Sequence, residues 1–336
     1  MLNILITAVG GDISQGIIKS LKLSSIKTRL IGTDTNKNSA GLFMCHRGYQ
    51  VSPATNLKFI KQILSICRKE KISIVFIGNE IEQSIIANNI DYLHKKTNSV
   101  FIVQPASTIL TCNDKFKAGQ ILSQAGLRVP KSAVTKQAAD NLIKNIGFPV
   151  IIKSRHGCGS KYFHILKTKS DLDNYWKTTP RPIIQEYITN QSGDEYTVGL
   201  FLNKNSKVLG SITMKRELRF GLTWFAIAKH YPIIANIATL AAETVGAIGP
   251  TNVQIRPDQK NNPCIIEINT RISSTAAFRS ILGFNEAIAS IDYFLKNKKP
   301  NLSWKPGICF KTWNELVISP SSFIKKNLVS LNKYVS

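Results

Sequence analysis

Apolar runs broken by polar turns recur along this chain of 336 residues, and their spacing changes twice. Residues 2–9 read as an apolar strand, followed by Gly10-Gly11-Asp12-Ile13-Ser14-Gln15-Gly16 and a helix to about residue 23. A second strand, 29–32, ends at Asp34. Helix 57–69, strand 72–77, helix 80–93 and strand 100–103 follow. Strands alternating with helices predict a doubly wound parallel sheet. From Asn113 the pattern shifts. Residues 115–124 are amphipathic and helical, and Gly126-Leu127-Arg128-Val129-Pro130 closes them with a Gly stop and a Pro. Strand 149–153 leads into Ser154-Arg155-His156-Gly157-Cys158-Gly159-Ser160-Lys161, and strand 182–188 comes after a short mixed stretch. Segments 196–201 and 208–214, joined at Asn203-Lys204-Asn205, read as antiparallel strands. Helices are expected at 232–245 and 284–295.

Between those last helices lies a hairpin: 249–254 and 264–271 alternate like neighbouring strands around Asn261-Asn262-Pro263. Residues two apart share a strand face, so Glu267 and Asn269 point the same way, and Arg271 is expected to extend that face by one step. With Gln254 on the partner strand, these are hard oxygen donors beside a guanidinium. Such a set suits Mg²⁺ holding a nucleotide triphosphate.

Composition narrows the class. The length supports two or three domains, and 43% hydrophobic content is ordinary for a globular protein. No apolar run reaches bilayer length, and residues 1–7 lack a basic leader, so a cytoplasmic location is expected. Six scattered cysteines without a C-x-x-C pair suit reduced thiols rather than a zinc site. The net charge of +24 admits three partners: nucleic acid, an anionic membrane surface or anionic small molecules. Its even spread, with only the short run 296–299, weighs towards small anions over nucleic acid and leaves a membrane surface open. The early glycines invite an NAD(P)-dependent oxidoreductase reading. Their spacing is G-G-x-x-x-x-G rather than G-x-G-x-x-G, which suits a tight strand-to-helix turn better.

Lys115, Lys153, the Gly157-Cys158-Gly159-Ser160 loop, Gln185-Glu186-Tyr187-Ile188, Gln254 and Glu267-x-Asn269-x-Arg271 occur in that order. This order resembles the ATP-grasp superfamily, in particular the branch like the carbamoyl phosphate synthetase large subunit. The resemblance covers roughly residues 1–295. It implies an α/β chain in which an ATP-grasp fold follows a doubly wound parallel-sheet pre-ATP-grasp domain. The expected division is 1–108 for that first domain, 109–187 for the lid subdomain, 188–305 for the metal-bearing subdomain and 306–336 for a basic tail.

The resemblance further implies cofactors and roles. ATP and Mg²⁺ are expected, with two ions and Mn²⁺ as an alternative metal. Lys115 and Lys153 would face the phosphates, and Gly157, Gly159 and Ser160 would offer donors from a mobile loop. Gln185, Glu186, Tyr187 and Ile188 would form the adenine hinge, with Glu186 beside the amino group and Glu195 on the ribose. Gln254, Glu267 and Asn269 would hold metal; a neutral Gln254 stands where many relatives carry a carboxylate. Arg271, Lys215 and Arg216 would contact the γ-phosphate, an acyl phosphate or a substrate carboxylate, and Arg279 could reach the acceptor. The reaction implied is amide formation between a carboxylate and an amine through an acyl phosphate, on small molecules and in a homo-oligomer. An amino acid joined to a small molecule, a peptide or a sugar nucleotide fits that class. A carboxylase or carbamoyl-phosphate-type enzyme, and a basic nucleic-acid or membrane-surface binder, remain alternatives.

Overall fold

The computed structural model describes residues 1–157, 162–312 and 314–319. Gly159, Ser160 and the tail from residue 320 on lie outside the described residues. The chain divides into two compact units, one formed by 1–106, 248–250 and 271–336, the other by 107–247 and 251–270.

The first unit is a five-stranded sheet in the order β3-β2-β1-β4-β5, formed by β1 (Leu2–Ile6), β2 (Thr28–Asp34), β3 (Arg47–Gln50), β4 (Ile74–Phe76) and β5 (Val100–Ile102). All four pairings between neighbouring strands are parallel, as the alternation of strands and helices predicts. Its strands are apolar on both faces because each face has its own core. Leu5, Ile31 and Val75 enter one; Ile4, Ile6, Leu30 and Phe76 enter the other. The helices are α1 (Asp12–Lys22), α2 (Ala40–Met44), α3 (Lys58–Lys69), α4 (Glu80–Asn88) and α5 (Ile90–Lys96). The single helix expected over 80–93 is thus two, parted at Asn89, whose backbone (φ −114°, ψ 14°) leaves the helical region.

At the C-terminal edge of this sheet the Asp34 carboxylate accepts the Gly10 N–H at 2.6 Å and the Asn36 N–H at 2.9 Å. A Cβ on Gly10 would fall 2.6 Å from Ser39 Oγ. The glycine turn is therefore filled by the chain's own side chains, with an anion already on the N–H that a dinucleotide would need.

Residues 271–312 return to the first unit. Helices α11 (Ala276–Ile281) and α12 (Glu286–Ser290) pack on α1, and a π-helical turn (Ile291–Leu295) continues α12, so helix 284–295 is shorter and irregular.

The second unit holds α6 (Ala106–Asn113), α7 (Lys115–Gln124), α8 (Lys136–Ile146), α9 (Lys169–Thr178) and α10 (Pro232–Thr244). Its smaller sheet, in the order β6-β9-β7-β8, comprises β6 (Ser132–Ala133), β7 (Val150–Ser154), β8 (His164–Leu166) and β9 (Pro182–Glu186). In its larger antiparallel sheet β14 (Pro263–Asn269), β13 (Gly249–Pro257), β10 (Glu195–Leu202), β11 (Val208–Arg219) and β12 (Leu222–Ala228) lie side by side. Val150 and Ile152 of β7 pack with Ala139 and Leu172. Val198, Leu200, Val253 and Ile255 pack under Ala238 and Ala241 of α10. These cores fix which face of each strand remains for polar work.

Candidate functional site

Strand alternation builds the site. With Val150 and Ile152 in one core, Ile151 and Lys153 face the other way; with Val253 and Ile255 in the other core, so do Gln254 and Arg256. These four residues line one cleft of about 310 Å³ together with Lys115, Gly157, Gln185, Glu186, Tyr187, Ile188, Glu195, Ile266 and Glu267. Lys153 and Glu267, over a hundred positions apart in sequence, thus share a cavity wholly inside the second unit.

Gln254 and Glu267 are register partners across β13 and β14, as are Asn252 and Asn269. Just beyond Gln254 the register slips: Ile255 pairs with Ile265, leaving Ile266 as an extra residue on β14. A bulge of this kind lets successive residues turn to one face. Ile266 and Glu267 accordingly both line the cleft. Sequence alternation would have sent one of them away.

Among the described residues the side chains of Lys153, Gln254 and Glu267 make no hydrogen bond or ion pair. Gln185 spends its amide nitrogen on Ser132 Oγ at 2.8 Å, while its buried Oε1 has no partner among them. Burial lowers the Lys153 ammonium to about 8; Glu267 partly offsets this, and the positive charges of Lys115 and Arg256 add to it. Cations thus gather around one carboxylate, Glu267, that has no partner among the described residues.

Lys115 opens α7 directly after Asp114, whose carboxylate caps that helix through Phe116 N–H and Lys117 N–H, both at 3.1 Å. The Lys115 ammonium donates to the Gly157 carbonyl at 2.5 Å. The start of the Gly-rich loop is thereby tied to the helix that carries a cleft cation.

Other expected residues are engaged elsewhere. The Glu186 carboxylate accepts from Arg128 and from the Lys131 N–H, both at 3.2 Å. Glu195, 6% exposed, is held by Arg216 and Arg256. Burial alone would raise its pKa, but the two guanidiniums outweigh that and hold it below the usual carboxylate range. β11 does not stop at Met214 but runs to Arg219, so the charged segment after it is strand, not turn. On it Lys215 opposes Tyr196 and pairs with Asp194 at 2.7 Å, while Arg216 opposes Glu195 and pairs with it at 2.5 Å. Neither Lys215 nor Arg216 lines the cleft.

β14 ends at Asn269, so Arg271 does not extend the strand face. Its Nε donates to Glu80 Oε1 at 2.6 Å within the first unit. Arg279 is wholly buried there against Glu286 at 2.9 Å, which removes it from any acceptor site. Asn269 does not line the cleft. Among the described residues no cluster of three His, Cys, Asp or Glu side chains forms a metal site; Glu267 is the one acidic member of the set expected to hold metal. Arg256 was missed in the sequence, although its place two residues after Gln254 was a usable signal.

A cleft lined by Lys115, Lys153, Arg256 and Glu267, carried on two antiparallel sheets, is the arrangement expected of an ATP-grasp module. Residues 112–275 match the family model described as ATP-grasp domain, and residues 4–101 match the PylC-like N-terminal domain. The chain belongs to the ATP-grasp superfamily, with a PylC-like domain in front. It is 20% identical over 287 residues to the mitochondrial methylcrotonoyl-CoA carboxylase subunit alpha of Mus musculus, covering 78% of this chain and 40% of that protein. It is 35% identical over 122 residues to the coenzyme gamma-F420-2:alpha-L-glutamate ligase of Methanococcus maripaludis, covering 33% and 41%. These curated relatives are matched over only about two fifths of their length. Among solved structures, N5-carboxyaminoimidazole synthetase from Staphylococcus aureus complexed with ADP superposes with a TM-score of 0.72 at 17% identity, covering 91% of this chain and 81% of that one. An L-amino acid ligase from Bacillus licheniformis gives 0.68 at 17% identity, covering 88% and 74%. The fold is shared with both. No described helix is long and apolar enough to cross a membrane.

Proposed function

We propose that this chain is an ATP- and Mg²⁺-dependent ligase that joins a carboxylate to an amine, with release of ADP and phosphate. The observation that supports it most is a set of cleft groups without partners among the described residues: the Lys153 ammonium facing the Glu267 carboxylate, with Gln254 opposite Glu267 in register. Lys115 and Lys153 neutralise the phosphates, and the Gly157 backbone lies in the same cleft. Gly159 and Ser160, expected as further donors, lie outside the described residues. The adenine lies along Gln185, Glu186, Tyr187 and Ile188, with Ile151 and Ile266 as apolar walls. Gln185 Oε1, buried without a partner among the described residues, supplies an acceptor there.

Gln254, Glu267 and Asn269 would hold Mg²⁺, which supplies charge neutralisation on the transferring phosphoryl group when bound. Arg271, expected on the γ-phosphate or acyl phosphate, is paired with Glu80 in the first unit and is given no role in this cleft. Lys215 and Arg216, paired with Asp194 and Glu195, act in support rather than on substrate. The chain's part in the reaction is then to hold donor and acceptor in line and exclude water; no side-chain nucleophile is required.

The test is phosphate release from ATP across a matrix of carboxylic acids, bicarbonate included, and amines, with Glu267→Ala as the control. Release that needs one acid and one amine, and is lost in the variant, supports the ligase. Release with bicarbonate alone shifts the reading to a carboxylase. ATP binding without release for any pair overturns it.

A further inference from the structure

Glu195 is the residue that the family resemblance places on the ribose hydroxyls, yet its acceptor capacity is already spent. Oε1 takes Arg216 Nε at 2.9 Å and Arg216 Nη2 at 2.5 Å; Oε2 takes Arg256 Nε at 2.8 Å and Arg256 Nη2 at 2.5 Å. Arg216 is anchored further by Thr223 Oγ1 at 3.2 Å and is 9% exposed. Two side-on guanidinium forks, one on each oxygen of the carboxylate, leave little room for a hydroxyl donor. The two arginines differ in what they face. The Arg216 side chain is 7% exposed, whereas that of Arg256 is 31% exposed and lines the cleft. Arg256 shares the β13 face with Gln254, and its Nη1 has no partner among the described residues. Its charge is felt at Lys153 across the cleft.

We propose that Arg256 is a phosphate-contacting, specificity-determining residue of the nucleotide site, and that Glu195 is its positioning residue rather than a ribose acceptor. The inference rests on the nucleotide-binding reading above and deepens it. Arg216, Glu195 and Arg256 form a relay from the buried β11 strand to the cleft: Arg216 neutralises Glu195, and Glu195 fixes the plane of Arg256. The exposed edge of that guanidinium presents N–H donors to an anionic oxygen, and Lys153 and Lys115 converge on the same ligand. The site then reads phosphate number through Arg256 more than it reads sugar hydroxyls through Glu195.

The experiment measures binding of ATP, ADP, AMP and adenosine to the full chain by calorimetry, using the wild type, Arg256→Gln, Arg256→Lys and Glu195→Gln, and repeats ATP with its 2′-deoxy and 3′-deoxy forms. Arg256→Gln is expected to weaken ATP and ADP by about tenfold or more while leaving adenosine within about twofold. Arg256→Lys should recover part of the loss. Glu195→Gln should weaken ATP by the same factor whether or not a sugar hydroxyl is removed. Equal losses for ATP and adenosine in Arg256→Gln, or a Glu195→Gln penalty that vanishes with a deoxy nucleotide, overturn the proposal. Arg256 is the more exposed partner, so its variants carry the test if Glu195→Gln does not fold. A wild type that binds none of the nucleotides overturns the ligase reading as well, whereas binding unchanged in Arg256→Gln overturns this inference alone.

Discussion

The Asp114 carboxylate takes Arg155 Nε at 2.7 Å and Arg155 Nη2 at 2.6 Å, joining the first residue before α7 to the first residue after β7. The same two segments exchange a backbone bond from Lys115 N–H to the Arg155 carbonyl at 3.1 Å. Asp114 therefore caps a helix, holds an arginine and sets the spot from which Lys115 enters the cleft. Burial works to raise its pKa, but Arg155 and the Lys117 N–H prevail and hold the carboxyl below its ordinary value.

Asp114→Ala should cost about 2–3 kcal/mol, combining a lost cap with a lost charge-assisted pair. Thermal melting measures this, and nucleotide affinity should fall with it. The sign with pH follows from the depressed folded-state pKa. Stability from Asp114 is full above its unfolded value near about 4 and is lost as pH falls through the folded one. The gap in melting temperature between wild type and variant should thus narrow below about pH 4. A gap that widens in acid would contradict the assignment.

Gln254 stands opposite Glu267, so Gln254→Glu would put like charges face to face on β13 and β14. Without metal, that variant should melt lower than wild type. With Mg²⁺ or Mn²⁺ the order should narrow or reverse, because a second carboxylate raises divalent-cation affinity by about tenfold or more. Melting curves with and without metal measure it. Identical metal responses in both proteins would remove this pair from the metal site.

Much of the fold was legible because apolar runs mark strands wherever both faces are buried, as in β1 and β4. The cleft was legible where alternation applies, at Lys153, Gln254 and Glu267. Three features escaped for definite reasons. The strand expected to end at 214 runs on through Lys215-Arg216-Glu217, where Arg216 finds Glu195, a partner 21 residues away. The extra residue Ile266 depends on how β13 and β14 register, which neither strand encodes alone. Arg279, one helical turn from Thr275, was expected to reach the acceptor. Nothing near it in sequence announces that Glu286 will accept it out of water.

That buried pair gives a stability prediction. Arg279 and Glu286 are 0% and 1% exposed, and burial raises the Glu286 pKa against the pull of Arg279. Removing only the arginine strands the carboxylate. Arg279→Met should cost about 3–5 kcal/mol, and replacing both by Met and Leu should restore much of it. Denaturant unfolding of the two variants decides. A double variant no better than Arg279→Met would mean that packing, not the unpaired charge, sets the cost.

Two glycines should respond to alanine with opposite signs. A Cβ on Gly78 would lie 1.9 Å from Ser14 Oγ and 2.3 Å from the Thr7 carbonyl oxygen. Those atoms are themselves bonded, Ser14 Oγ donating to Thr7 O at 2.6 Å, and Gly78 N–H donates to Thr7 Oγ1 at 3.2 Å. The methyl has no route past backbone, so Gly78→Ala should lose about 1–3 kcal/mol or more. Gly119 sits inside α7, where a Cβ would find only Val129 Cγ2 at 4.0 Å. There alanine removes the helix penalty of glycine, and Gly119→Ala should gain about 0.5–1 kcal/mol. Both shifts are readable in one set of melting curves, about 2–4 °C per kcal/mol for domains of this size. A neutral Gly78→Ala would show that the loop at the end of β1 yields more readily than its contacts imply.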